Sequence, residues 1–153
     1  MSSALLVGYA STRVGPDVPS LSDGIGGVRL ILHVFAATIW VGGQFTVLGL
    51  LPTVRTLGEE APKAVGRALG RLLWPAYAVL VVTGFWNISS FTLNDASTAW
   101  KTVLVIKIVV VVVAGLAVFL HQRATNRRAT AVWGAVGALA SVGALGLGVF
   151  LAG

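Results

Sequence analysis

The chain has 153 residues, 56% of them hydrophobic and only 10% charged, with a mean hydropathy of +0.90. A soluble domain is about a quarter charged, so this composition excludes an ordinary soluble globule. It points to an all-α integral membrane protein with room for about four spans of ~20 residues. The net charge of +6 sits at the ends of apolar runs, where basic residues act as topology signals and contacts to anionic lipid. Nucleic-acid binding is not expected.

Residues 1 to ~27 mix small, polar and apolar types, with Gly15-Pro16-Asp17, Pro19-Ser20 and Gly26-Gly27. The apolar piece Ala4–Val7 is too short for a signal peptide and lacks a basic flank. This segment is expected to be an extramembrane N-terminal arm, and residues 28–153 a four-helix transmembrane domain.

The first span is expected over ~28–51, with Pro52 ending it. His33, Ala37, Trp40 and Gln44 share one face of that helix, opposite Leu, Ile and Val. Polar groups on one stripe face the bundle interior rather than lipid. Gly42-Gly43 lets another backbone come close. The following segment, ~52–68, reads as a solvated loop with Arg55, Glu59, Glu60, Lys63 and Arg67, or with a short interfacial helix starting at Pro62.

The second span is expected over ~69–91. Trp74-Pro75 and Tyr77 mark one membrane interface. Tyr77, Gly84 and Asn87 share a face that Thr83 and Trp86 flank. A short polar loop follows, and the third span is expected over ~99–121. There Trp100, Lys107, Ala114 and His121 recur every seven residues. The fourth span, ~131–152, is dense in small residues, among them Gly134, Gly137, Ala138 and Ser141, whose spacing suits close helix packing.

Lys and Arg set the orientation. Arg55, Lys63, Arg67, Arg71, Arg123, Arg127 and Arg128 lie on one side. The positive-inside rule puts these loops in the cytoplasm and both termini on the extracytoplasmic side of a multi-pass plasma-membrane protein.

An amine as deep as Lys107 is expensive unless it is paired or hydrated, and an intramembrane ionisable residue is a functional-site hypothesis. At ~1.5 Å of rise per residue, His33 lies roughly 8 Å below the outer end of its span and Lys107 roughly 12 Å. Asn87 lies at about 6 Å and Thr83 at about 12 Å. These four are expected to share one layer of the outer leaflet. In the fourth span that layer holds Leu145–Gly148, where Gly146 and Gly148 leave volume for a flat ligand or water. A lysine beside a histidine repels it when both are charged, which favours neutral His33, the form a metal or haem iron needs. Two structural alternatives stand beside this: His33 bonded to a carbonyl, and Lys107 bonded to Asn87, Thr83 or helix carbonyls. Trp40 and Trp86 are deep enough to line a site, while Trp74, Trp100 and Trp133 read as belt residues.

His121 falls at the opposite membrane face, over 20 Å of rise from Lys107, so His33 and His121 cannot ligate one metal within a chain. The chain has no cysteine, and Met1 is its only methionine. Disulfides, thiolate sites and iron–sulfur clusters are therefore excluded, as is a Met-rich copper(I) site.

Three stretches carry a family resemblance. L-H-V-F-A-A-T-I-W-V-G-G (Leu32–Gly43) resembles the opening helix of the copper resistance protein D (CopD) family. R-A-L-G-R-L-L-W-P-A-Y-A-V-L-V-V-T-G (Arg67–Gly84) resembles its second helix. W-K-T-V-L-V-I-K (Trp100–Lys107) is similar to its aromatic-x-x-x-Leu-x-x-Lys pattern. HemJ-type protoporphyrinogen oxidases look like more distant relatives, with a first-helix histidine, a third-helix tryptophan–lysine pair and b-type haem. Here the spacing from Trp100 to Lys107 is longer than theirs. The resemblance implies a cofactor ligand at His33, with Lys107 as an inner-helix base or anion contact. Joined to the layer read from helix rise, it gives the expected site: haem b or copper held at His33, with Lys107, Asn87, Thr83 and Trp40 around it, and a role in metal handling or electron transfer. Two other readings stand beside it: an accessory subunit of a larger, respiratory-type membrane complex, which the small-residue fourth span suits, and a HemJ-like porphyrinogen oxidase.

Overall fold

The computed structural model describes residues 24–152, apart from 91, 93 and 95. Most of the expected N-terminal arm, residues 1–23, lies outside the described residues. Four helices follow one another: α1 Gly24–Thr56, α2 Ala61–Ser89, α3 Thr98–Arg123 and α4 Arg127–Ala152. All four are long and apolar enough to cross a membrane, α3 most of all, with a mean hydropathy of 3.1 over its most apolar stretch.

The helices outrun the expected spans because a span records only the apolar part. α1 has 33 residues, about 50 Å of rise, against a hydrocarbon core of about 30 Å. It begins within the segment expected to be the arm. Pro52 does not end it. Proline's φ suits a helix, and its cost is one ladder bond and a clash a turn earlier, here near the basic end. Thr56 Oγ1 donates back to Thr53 O at 2.8 Å in that last turn.

The long loop expected over ~52–68 is instead a turn of residues 57–60. Gly58 takes φ +113°, a conformation that glycine adopts without strain. Pro62 stands in the first turn of α2 itself, where a missing N–H costs nothing, so no separate interfacial helix forms. Glu60 accepts from Lys63 Nζ at 2.6 Å, and this bond holds its carboxyl below the usual carboxylate range. Ser97 Oγ caps α3 by accepting from Trp100 N at 3.2 Å, and Asn126 Oδ1 caps α4 by accepting from Ala129 N at 2.7 Å.

Short connections make neighbours antiparallel. α1 packs along α2 and α3 along α4, while α1 touches α4 over a shorter stretch. Glycines set both close pairings. A methyl group at Gly43 would fall 2.8 Å from Leu73 Cδ2, and one at Gly137 would fall 3.1 Å from Val118 Cγ2. The backbones of α2 and α3 stand further apart, and long side chains bridge them. Trp74 Nε1 donates to Gln122 Oε1 at 3.0 Å, and Tyr77 Oη donates to Val111 O at 2.9 Å. The ring is thus closed in the order α1–α2–α3–α4.

The core is an aromatic cluster. Trp40 is 3% exposed. Its ring lies 4.7 Å from Tyr77 and 6.1 Å from Trp74, centroid to centroid. Trp74 packs one face of its ring into this cluster and turns its Nε1 outward to Gln122, with Pro75 following it. Pro75 sits inside α2 without ending it.

Candidate functional site

Heptad spacing sorts the bundle interior into layers. At the end where α1 begins and α2 finishes, His33 Nδ1 lies 2.8 Å from Thr83 Oγ1. Thr83 is 3% exposed and has a single proton, which it donates to Val79 O at 2.6 Å. With that bond made, the hydroxyl accepts from His33 and the assignment puts the ring proton on Nδ1. In the neutral form of that ring Nε2 keeps its lone pair, the tautomer a metal-ligating imidazole needs. The His33 ring lies over Gly84, where a methyl group would meet Cε1 at 3.7 Å.

Lys107 reaches the same end from α3. Its ammonium lies over Gly148 of α4, where a methyl group would stand 3.1 Å from Nζ. It is half-buried and forms no hydrogen bond or ion pair among the described residues, and it lies within electrostatic range of His33. Trp100 Nε1 donates to Leu151 O at 3.3 Å and ties this end of α3 to α4. One turn beyond His33 on the same face of α1, Arg29 has its Nε buried without a hydrogen bond. Asn87 is half-buried, and Trp86 is 42% exposed and points outward. The structure thus brings His33 onto Thr83 and Lys107 onto the α4 glycine. It gives the Asn87 side chain no hydrogen bond among the described residues.

Trp40 belongs to the next layer, seven residues and about 10 Å deeper. Its Nε1 donates to Ser141 Oγ at 2.9 Å, and Gln44 Nε2 donates to the same oxygen at 3.1 Å. Ser141 passes its own proton to Gly137 O at 2.7 Å. One donor and two acceptor positions are then all in use, so this layer is a closed polar knot. Ser141→Ala leaves the indole N–H without its acceptor in a buried place. It is expected to lower the unfolding midpoint in detergent by about 1 kcal/mol equivalent; an unchanged midpoint would show the knot to be dispensable.

His121 sits at the far end, where Nδ1 donates to Thr130 O at 2.8 Å and the ring packs over Gly134. It joins α3 to the start of α4, and it cannot meet His33.

No family model, curated protein or solved structure matches this chain.

Among the described residues, no three His, Cys, Asp or Glu side chains gather to hold a metal ion. The His33 layer offers one imidazole nitrogen, one ammonium and one guanidinium. That set suits an anionic ligand with a single coordination bond. Two residues escaped the sequence reading. Arg29 falls four residues before His33, on its stripe. Ser141 reads as one more small packing residue, yet a buried indole N–H needs an acceptor and Ser141 is the hydroxyl in the fourth span.

Proposed function

We propose that this chain is a CopD-like membrane protein that binds haem b at the extracytoplasmic end of the bundle, with a role in electron transfer or metal handling. The observation that supports this reading is the His33–Thr83–Val79 chain of hydrogen bonds, which fixes the imidazole with Nε2 as its free acceptor. His33 would hold the haem iron through Nε2. Lys107 and Arg29 would face the two propionates, since charge-assisted bonds to carboxylates are the strong ones. Bound haem supplies one-electron redox chemistry. A lone copper ion suits these residues poorly, because His33 has no second soft or imidazole donor beside it.

Purified protein reconstituted with haemin is expected to show a Soret band that His33→Gly abolishes and added imidazole restores. Rescue by imidazole separates ligation from folding. A wild-type sample without the band, or a His33→Gly variant that keeps it, refutes the proposal. Thr83→Val removes the group that orients the ring and is expected to weaken haem binding 10–100-fold, read by titration.

The same cations suit the carboxylates of a porphyrinogen. Complementation of a haem-synthesis defect distinguishes that substrate from a resident cofactor.

A further inference from the structure

A second feature lies on the outside of the bundle, away from His33. Because α2 and α3 stand apart, an apolar groove of about 390 Å³ opens between them, lined by Trp74, Tyr77, Val112, Gly115, Leu116 and Phe119. Its floor is Gly115, over which the Tyr77 hydroxyl lies. That hydroxyl is already bonded to Val111 O, so the floor presents no open polar group. Val112 and Leu116 are 50% and 56% exposed along its wall.

The two helices that form the groove each end it with an arginine. Arg123 continues the α3 face of residues 112, 116 and 119, and its guanidinium stands over the Phe119 ring at 4.8 Å from the centroid. That contact holds the charge at the groove mouth. Arg71 lies one turn before Trp74 on α2, and the Trp74–Gln122 bond keeps the helices in register there. Arg71 and Arg123 are exposed and form no ion pair among the described residues. Each stands about 9–12 Å of helix rise from the floor. An apolar slot with two cations at its mouth matches an acyl chain beneath an anionic headgroup.

We propose that the α2–α3 groove binds one anionic glycerophospholipid, with its headgroup on Arg71 and Arg123 and an acyl chain over Gly115. Arginine suits this because its planar fork holds phosphate through two parallel bonds. The inference is independent of the haem reading.

The test is native mass spectrometry of the full chain released from nanodiscs of equal phosphatidylglycerol and phosphatidylcholine. Wild-type protein is expected to retain one phosphatidylglycerol preferentially. A basic residue at an anionic surface gives about a fivefold preference, so Arg71→Gln with Arg123→Gln should cut the ratio by an order of magnitude or more. Val112→Trp fills the slot and should remove the retained lipid; Leu116→Trp serves the same end should the first variant misfold. Three results would overturn the proposal: equal retention of both lipids by wild type, full retention by both tryptophan variants, or an equal loss on Arg128→Gln, which would mark a diffuse surface potential. A wild-type dimer that the tryptophan variants dissociate would mean that a second copy, not a lipid, occupies the groove.

Discussion

Trp40→Ala is expected to cost the bundle about 3 kcal/mol, the largest loss available from a single truncation. In lipid the water-transfer part of a core substitution largely vanishes, because the acyl chains are as apolar as the core. What remains is specific. The indole packs against Trp74 and Tyr77, and each aromatic pair contributes about 1 kcal/mol. Its N–H bond to Ser141 adds about 0.6 kcal/mol by the average for membrane helices. The cavity left by the indole accounts for the rest. Trp40→Phe separates these contributions. It keeps a six-membered ring in the cluster and gives up the N–H and the rest of the indole's five-membered ring, while Ser141 still donates to Gly137 and accepts from Gln44. Unfolding by SDS titration, followed by circular dichroism, should place Trp40→Phe near wild type and Trp40→Ala far below it. Two variants with the same midpoint would show that the rings do not hold this core together.

Adding a single carbon at Gly115 is expected to be nearly as harmful. A methyl group there would overlap the Tyr77 hydroxyl and stand 2.6 Å from Cζ. The ring must swing away, losing its bond to Val111 O and its place against Trp40 and Trp74. Overpacking of this kind costs about 1–3 kcal/mol, and Gly115→Ala should fall near 2 kcal/mol. A double-mutant cycle carries the decisive reading. In a Tyr77→Leu background the obstacle is gone, so Gly115→Ala should become almost neutral. An equal cost in both backgrounds would place the damage elsewhere than in the Tyr77 contact.

Helix number and the meeting of His33 with Thr83 were legible in the sequence because both follow from rise per residue. The same arithmetic reaches further. Seven residues on from His33 is Trp40, seven before Gly148 is Ser141, seven before Gly84 is Tyr77, and seven on from Lys107 is Ala114 beside Gly115. These residues form the second layer. Spacing alone does not say which acceptor an indole chooses; the Trp40–Ser141 bond becomes legible only when the indole's need for an acceptor is set against the one hydroxyl of the expected fourth span. Nor does spacing show that Trp74, beside Pro75, lays one face of its ring onto Trp40 and Tyr77. The helix ends were hidden for a related reason. Pro52, Glu60 and Lys63 are polar or helix-breaking on average, but beyond the hydrocarbon core water and headgroups satisfy what they leave open.

The uneven spacing of the four helices also describes how the protein can come apart. α1 with α2, and α3 with α4, are two tight helical hairpins seated on glycines. The seam between them is stitched by few groups, chiefly Trp40, Trp74 and Tyr77 reaching across. Such a molecule is held least firmly along the line between the two hairpins. Loosening the seam parts His33 on one hairpin from Lys107 on the other.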